Sequence, residues 1–361
     1  MHFNDIRLQY ESLRDEIDSA IRDVLLSGRY ILGPMVLAFE EEFARYIRTA
    51  EAIAVASGTD ALTIALRALD VGPGDEVLVP ALSAAATAMA VAMVGARPVF
   101  VDVSLDDFNI DPVQALERKT ARTKAIIPVH LYGMPARLKE ISRIGLPIVE
   151  DAAQAHGSHA NWGRCGAYGH AAAFSFYPTK NVGAYGDGGM IVTSDSAISK
   201  KARLLRNYGQ RENYVSEILG GNFRLDEIQA AILRVKLRRL DQWNSRRRAI
   251  AAQYRAAFRE LPVGLQSETG ASNYHLFVIT SPERDKLRAY LDGSGIPTLI
   301  HYPYPLHRQK AFEEFRAVRC PNADLLCSRL LSLPIHAFLM DGEVDRVIDG
   351  VRGFFRGRHA G

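Results

Sequence analysis

Residues 148–157 read IVEDAAQAHG and residues 172–181 read AAFSFYPTKN. In each, a short apolar run ends on a group that is costly to bury, Asp151 in the first and Lys180 in the second. Short apolar runs bounded by polar or turn residues read as strands, so both groups fall at strand tips. Working outward, residues 53–56, 77–80, 99–103 and 125–130 read as strands too. Between them lie helical spacings such as Leu62, Ala65, Leu66 and Leu69. This alternation predicts a mostly parallel mixed sheet flanked by helices, an α/β fold that places active residues at the C-terminal ends of its strands. After Lys180, Gly183, Gly186, Gly188 and Gly189 lead into one more strand.

Beyond Leu225 the pattern changes. Leu225, Ile228, Ile232, Val235 and Leu240 recur at helical intervals and predict one long helix leaving the first domain. The basic run from Arg234 to Arg248 is interleaved with Leu, Val and Trp243, which reads as a solvated helix face rather than a phosphate grip. A strand over 274–280, a helix around 287–291 and a strand over 298–302 predict a smaller C-terminal α+β domain. The expected division is a large cofactor-binding domain over 1–245 and a small domain over 246–361.

Composition removes several function classes. The 361 residues, 48% hydrophobic, suffice for a large core and a second domain. Forty-four Lys and Arg against 41 Asp and Glu give a formal charge of +3, too balanced for a nucleic-acid footprint. Cys165, Cys320 and Cys327 lack the paired short spacings of zinc or redox sites, so no metal is expected and free thiols in a reducing cytoplasm are. The start, MHFNDIRLQY, lacks the layout of a secretion signal. The uncharged stretch from Pro80 to Gly95 is mostly Ala, too short and too polar for a membrane span, and is expected as a buried helix.

Three segments carry chemistry. Ser57-Gly58-Thr59-Asp60 turns from a strand through glycine into a helix, where free N–H groups and hydroxyls attract an anion. Asp151, shielded beside Gln154, has the setting to hold a proton on a cofactor's ring nitrogen. Lys180 sits where desolvation lowers an amine's pKa, as a lysine that bonds a carbonyl requires. Each has a plainer reading in isolation: an N-cap, a capping carboxylate, a turn lysine. His156 reads as a packing residue.

Together, Asp151-x-x-Gln154, the SFYPTKN run and the SGTDAL turn resemble the DegT/DnrJ/EryC1/StrS family of sugar aminotransferases, which have the type I fold of pyridoxal-phosphate enzymes. The likeness extends from Ser27-Gly28-Arg29-Tyr30-Ile31-Leu32-Gly33 through Gly221-Asn222-Phe223-Arg224 to His301-Tyr302-Pro303. It implies that Lys180 bonds covalently to the aldehyde of pyridoxal 5'-phosphate, Asp151 pairs with the pyridine nitrogen and Gln154 bonds the 3-hydroxyl, with Ala153 beneath the ring. Gly58, Thr59 and Ser175 would hold the phosphate, joined by Asn222 from the second subunit of a homodimer with shared sites. Tyr185, Arg224, His301 and His307 would contact the substrate. Many relatives stack an aromatic ring on the cofactor where this chain has Ala84. Dehydratases of the family carry histidine in place of the lysine, and Lys180 argues against that branch.

The implied reaction takes an amino group from an amino acid, L-glutamate by resemblance, to a nucleotide-linked keto sugar. A dTDP-3-keto-6-deoxyhexose is expected, with a 4-keto sugar as the near alternative. A non-catalytic, cofactor-binding sugar sensor is the alternative of another class. A nucleotide-binding dehydrogenase fits poorly, because no G-x-G-x-x-G follows the first strand and Tyr177 to Lys180 is one residue short of Tyr-x-x-x-Lys.

Overall fold

A computed structural model describes residues 1–212 and 214–356. Seven strands form the central sheet: β1 (Glu51–Val55), β2 (Glu76–Pro80), β3 (Arg97–Val101), β4 (Thr123–Ile126), β5 (Val149–Asp151), β6 (Ala171–Ser175) and β7 (Gly189–Thr193). Pairings and the parallel bridges Ile126–Ile148 and Val129–Asp151 give the order β1-β7-β6-β5-β4-β2-β3. Only β7 runs antiparallel to its neighbours, β1 and β6. All six expected strands of this region form, and the glycine cluster does lead into a seventh. The sheet is buried on both faces, which is why its strands read as continuous apolar runs rather than alternations.

Four helices matter to the site: α1 (Gly58–Ala68), α2 (Ala85–Met93), α3 (Glu227–Leu237) and α4 (Leu240–Phe258). The Ala-rich stretch forms α2, but Met89 and Met93 are exposed, so one face is buried and not the whole helix. The single long helix expected after Leu225 is two, α3 and α4. The break lets Leu240 join the core around Phe39 and Phe43 while Trp243 covers Ile17 and Val235.

The solvated face expected over Arg234–Arg248 is also corrected, since Lys236, Asn244 and Arg247 are buried. Carbonyl oxygens absorb the charges: Lys236 Nζ donates to Gly183 O at 2.6 Å, and Arg247 Nη1 donates to the carbonyls of Tyr274, His275 and Ile335. A buried cation survives where such acceptors replace water.

Toward the C-terminus, β8 (Gly264–Leu265), β9 (Phe277–Thr280) and β10 (Leu330–Leu333) form an antiparallel sheet. It packs against α4 and the helices Arg284–Gly293 and Asp341–Arg356 through Tyr254, Phe258, Phe277, Leu331 and Val347. Residues 298–302 make only the bridge Leu299–Ser332 instead of a strand. Pro297 and Pro303 bracket them and have no N–H to extend a ladder. The position 245/246 lies inside α4. Phe312 and Phe315 pack on Phe100 of β3, so the two units share core contacts. No helix among the described residues is long and apolar enough to cross a membrane.

Candidate active site

Adjacent carboxylates on β5 do different work because successive side chains leave a strand on opposite faces. Glu150, buried, accepts N–H groups from Gly166, Tyr168 and Gly169 at 2.7–2.8 Å and meets His130 Nε2 at 2.8 Å. Those bonds anchor the strand. Asp151, next along, is 5% exposed; its Oδ2 accepts from Thr87 Oγ1 at 2.8 Å and its Oδ1 from the Ala153 N–H at 3.2 Å. Ser83 Oγ lies 2.9 Å from the same Thr87 hydroxyl, so α2 and its approach hold the acid in place. Burial raises the Asp151 pKa, and the Thr87 and Ala153 hydrogen bonds and the charge of Lys180 pull it back.

Lys180 follows β6, whose residue Ala173 pairs with Asp151. The chain turns at once: Lys180 N–H reaches Tyr177 O at 2.8 Å and Ala184 N–H returns to Phe176 O at 2.7 Å. Part of the Lys180 surface still faces solvent, yet protein surrounds the amine densely enough that desolvation lowers it to about 8, against a smaller opposing pull from Asp151. An amine at that value carries a substantial neutral, nucleophilic fraction near physiological pH.

Two glycines let the start of α1 approach its neighbours closely. A Cβ on Gly58 would stand 2.7 Å from Ser175 Cβ, and one on Gly189 would stand 2.2 Å from Ser57 O. The start of α1 therefore lies directly against the end of β6, with Gly58, Thr59 and Ser175 together. Helical geometry leaves the first N–H groups without intrahelical acceptors, as an anion site needs. Ser57 is not a free donor: its hydroxyl accepts from Asp60 N–H at 3.1 Å and donates to Asp60 Oδ2 at 2.8 Å, a reciprocal cap. Burial, with a further push from Asp187, raises the Asp60 pKa against that cap.

Gln154 is held at both ends. Its Oε1 accepts from Tyr132 N–H at 2.8 Å and its Nε2 donates to Tyr302 OH at 3.2 Å. The Tyr132 and Tyr302 rings lie parallel, 6.4 Å apart. His301 Nδ1 meets Ser332 Oγ at 2.9 Å, and burial plus the Lys180 charge lower this imidazole to about 4, so it is neutral at working pH. Lys180 thus feels the charge of Asp151, three residues before Gln154, and imposes its own on His301.

The other expected residues have partners of their own. Tyr185 is bonded through its backbone N–H to Gln229 Oε1 at 2.8 Å, and its ring lies 3.8 Å from Lys236 Nζ. His307 is fully buried against Phe100. Asn222 is exposed, and Arg224 reaches Asn207 Oδ1 at 3.2 Å and lies over the Tyr208 ring. His156 packs between Phe174 and Phe176, as its sequence setting indicates. Sequence reasoning passed over Thr87, Tyr132 and Tyr302. Thr87 had left a signal, as one of two hydroxyls in an Ala-rich stretch. Tyr132 had left none, because only the fold brings it to Gln154.

A model of the DegT/DnrJ/EryC1/StrS aminotransferase family matches residues 11–352. The chain belongs to that family. The transaminase from Streptomyces venezuelae named for dTDP-3-amino-3,4,6-trideoxy-alpha-D-glucose is 48% identical over 359 residues, covering 97% of this chain and 95% of that protein. The erythromycin biosynthesis sensory transduction protein EryC1 of Saccharopolyspora erythraea is 47% identical, covering 96% and 97%. Among solved structures, S. venezuelae DesV in complex with a ketimine intermediate superposes with a TM-score of 0.95 at 46% identity, covering 98% of each chain. The chain is an aminotransferase of the type I fold, and its family works with pyridoxal phosphate. The carboxylate, the lowered amine and the glycine-lined helix start all fit that cofactor.

Proposed function

We propose that this aminotransferase moves an amino group from L-glutamate to the C3 ketone of a dTDP-linked 6-deoxyhexose, with Lys180 as the proton carrier. One observation carries the reading: an amine lowered to about 8, in the turn that follows β6, and a buried carboxylate at the end of the adjacent strand β5 feel each other's charge. Pyridoxal phosphate, when bound, supplies an aldehyde for the amine and a ring that takes up negative charge. Asp151, oriented by Thr87 and Ala153, holds a proton on the ring nitrogen. With the cofactor bound, Lys180 would take the proton from the donor's α-carbon and give it to the carbon on the far side of the transferred nitrogen. The second half-reaction runs these steps in reverse on the sugar ketone.

Gly58, Thr59, Ser175 and Asn222 of the partner subunit would hold the phosphate, and Gln154 the 3-hydroxyl. The exposure of Asn222 supports a role across a homodimer. Tyr185, Arg224 and His301 are the proposed sugar contacts, and His307, expected beside them, is withdrawn because it is fully buried against Phe100. The name of the S. venezuelae relative supports a 3-amino product and a dTDP carrier.

The test is to incubate the purified enzyme with L-glutamate and, separately, 3-keto and 4-keto deoxyhexoses linked to dTDP, UDP or GDP, following products by mass spectrometry. The dTDP-3-keto sugar should yield the amino sugar and 2-oxoglutarate. Turnover confined to 4-keto sugars would move the ketone assignment. No turnover of any keto sugar, with no change in the cofactor's absorbance on adding an amino acid, would favour a sensor.

A further inference from the structure

Asn181 directly follows Lys180 and is buried. Its Nδ2 donates to Asn244 Oδ1 at 2.8 Å and to Asn273 O at 3.1 Å, while its Oδ1 faces His275 Nδ1 at 3.2 Å. Asn244, in α4, donates in turn to His156 O at 2.8 Å. Asn273 Nδ2 donates to Gln154 O at 3.0 Å and His156 O at 3.1 Å, and its Oδ1 accepts the His275 N–H at 3.0 Å. Gly133 makes room for it: a Cβ there would stand 1.9 Å from Asn273 Oδ1, on backbone with φ +97°.

Two arms of the site thus end on one set of side chains. The first is the loop leaving Asp151, through the carbonyls of Gln154 and His156. The second is the turn bearing Lys180, through Asn181. The set is supplied by residues 244–275, outside the strands that present the acid and the amine. Neutral amides suit the task, since satisfied polar networks in a low-dielectric interior are rigid and carry no ionic desolvation cost. The loop beyond Lys180, with glycines at 183, 186, 188 and 189, has little stiffness of its own.

We propose that Asn181, Asn244 and Asn273 are positioning residues that fix the spacing of the Asp151 and Lys180 arms, so that a side chain of α4 touching neither reacting group governs proton transfer. This rests on Lys180 and Asp151 carrying the reaction.

Asn244→Leu in the full-length protein is the test, with Asn244→Ser as a milder second variant should the first fail to fold. Hydrogen exchange over 153–157 and 178–184, without and with pyridoxal phosphate, should quicken in both segments together by about ten-fold or more, with β2 unchanged. In the loaded enzyme, kcat should fall about ten-fold with donor KM within about two-fold, and the pH titration of the lysine-bound cofactor's absorbance should move. A folded variant in which one arm alone quickens, or neither, would overturn the proposal, as would a fall in kcat with an unmoved titration. The exchange result on cofactor-free protein does not depend on which lysine carries the cofactor. A failure of the Lys180 assignment is therefore separately visible.

Discussion

Lys180 and Lys236 are both taken out of water by this fold, and both amines are lowered by burial, to about 8 and about 7. The more strongly shifted one is not the one proposed to react. Lys236 is 1% exposed, donates to Gly183 O and lies over the Tyr185 ring. Lys180 keeps part of its surface open and feels the charge of a carboxylate that is itself oriented by a hydroxyl. A depressed amine pKa therefore marks a buried lysine. Access and a charged partner on the neighbouring strand are what single out Lys180 for the proposed role.

The widest separation between the two regions should appear on truncation. Lys180→Ala should lower kcat by on the order of ten-thousand-fold while leaving thermal unfolding near wild type, whereas Lys236→Met should cost about ten-fold or less. Comparable losses in the two variants, measured by product formation, would erase the distinction. Asp151→Asn comes next: it keeps the shape but removes the charge that holds the ring proton, so kcat should drop by roughly a hundred- to a thousand-fold. Thr87→Val should have a smaller effect, about ten-fold, because it removes one hydrogen bond to a buried carboxylate. It should also raise the Asp151 pKa further, seen as an upward shift of the acid limb of the pH–rate profile.

The smallest effect is on stability. The folded-state pKa of Lys236, about 7, lies below the usual 10.5, so between those values the unfolded chain binds more protons than the folded one. Wild-type stability should rise with pH across that window relative to Lys236→Met, with a slope of up to about 1.4 kcal/mol per pH unit. Denaturant unfolding of cofactor-free protein at pH 7 and 9 measures it. A difference between the two proteins that does not change with pH would mean Lys236 titrates normally.

Much of this was legible in the chain. The strands ending in Asp151 and Lys180, and the Gly58 turn, are local patterns in which burial, backbone freedom and charge sit within ten residues of one another. The same local logic misjudged Arg234–Arg248, because Lys236 and Arg247 find their acceptors in Gly183, Tyr274 and Ile335, distant in sequence. The strand expected over 298–302 failed for a reason that was readable, the flanking prolines. Tyr132 and the Asn181 network depend on pairings across the two units, and no spacing rule announces those.

Reduction of the cofactor-loaded enzyme with borohydride, followed by proteolysis and peptide mapping, tests the central claim most directly. The pyridoxyl adduct should map to Lys180 alone, within the peptide FSFYPTKN. An adduct on Lys236 or any other lysine, or no adduct in protein shown to hold the cofactor, would contradict it.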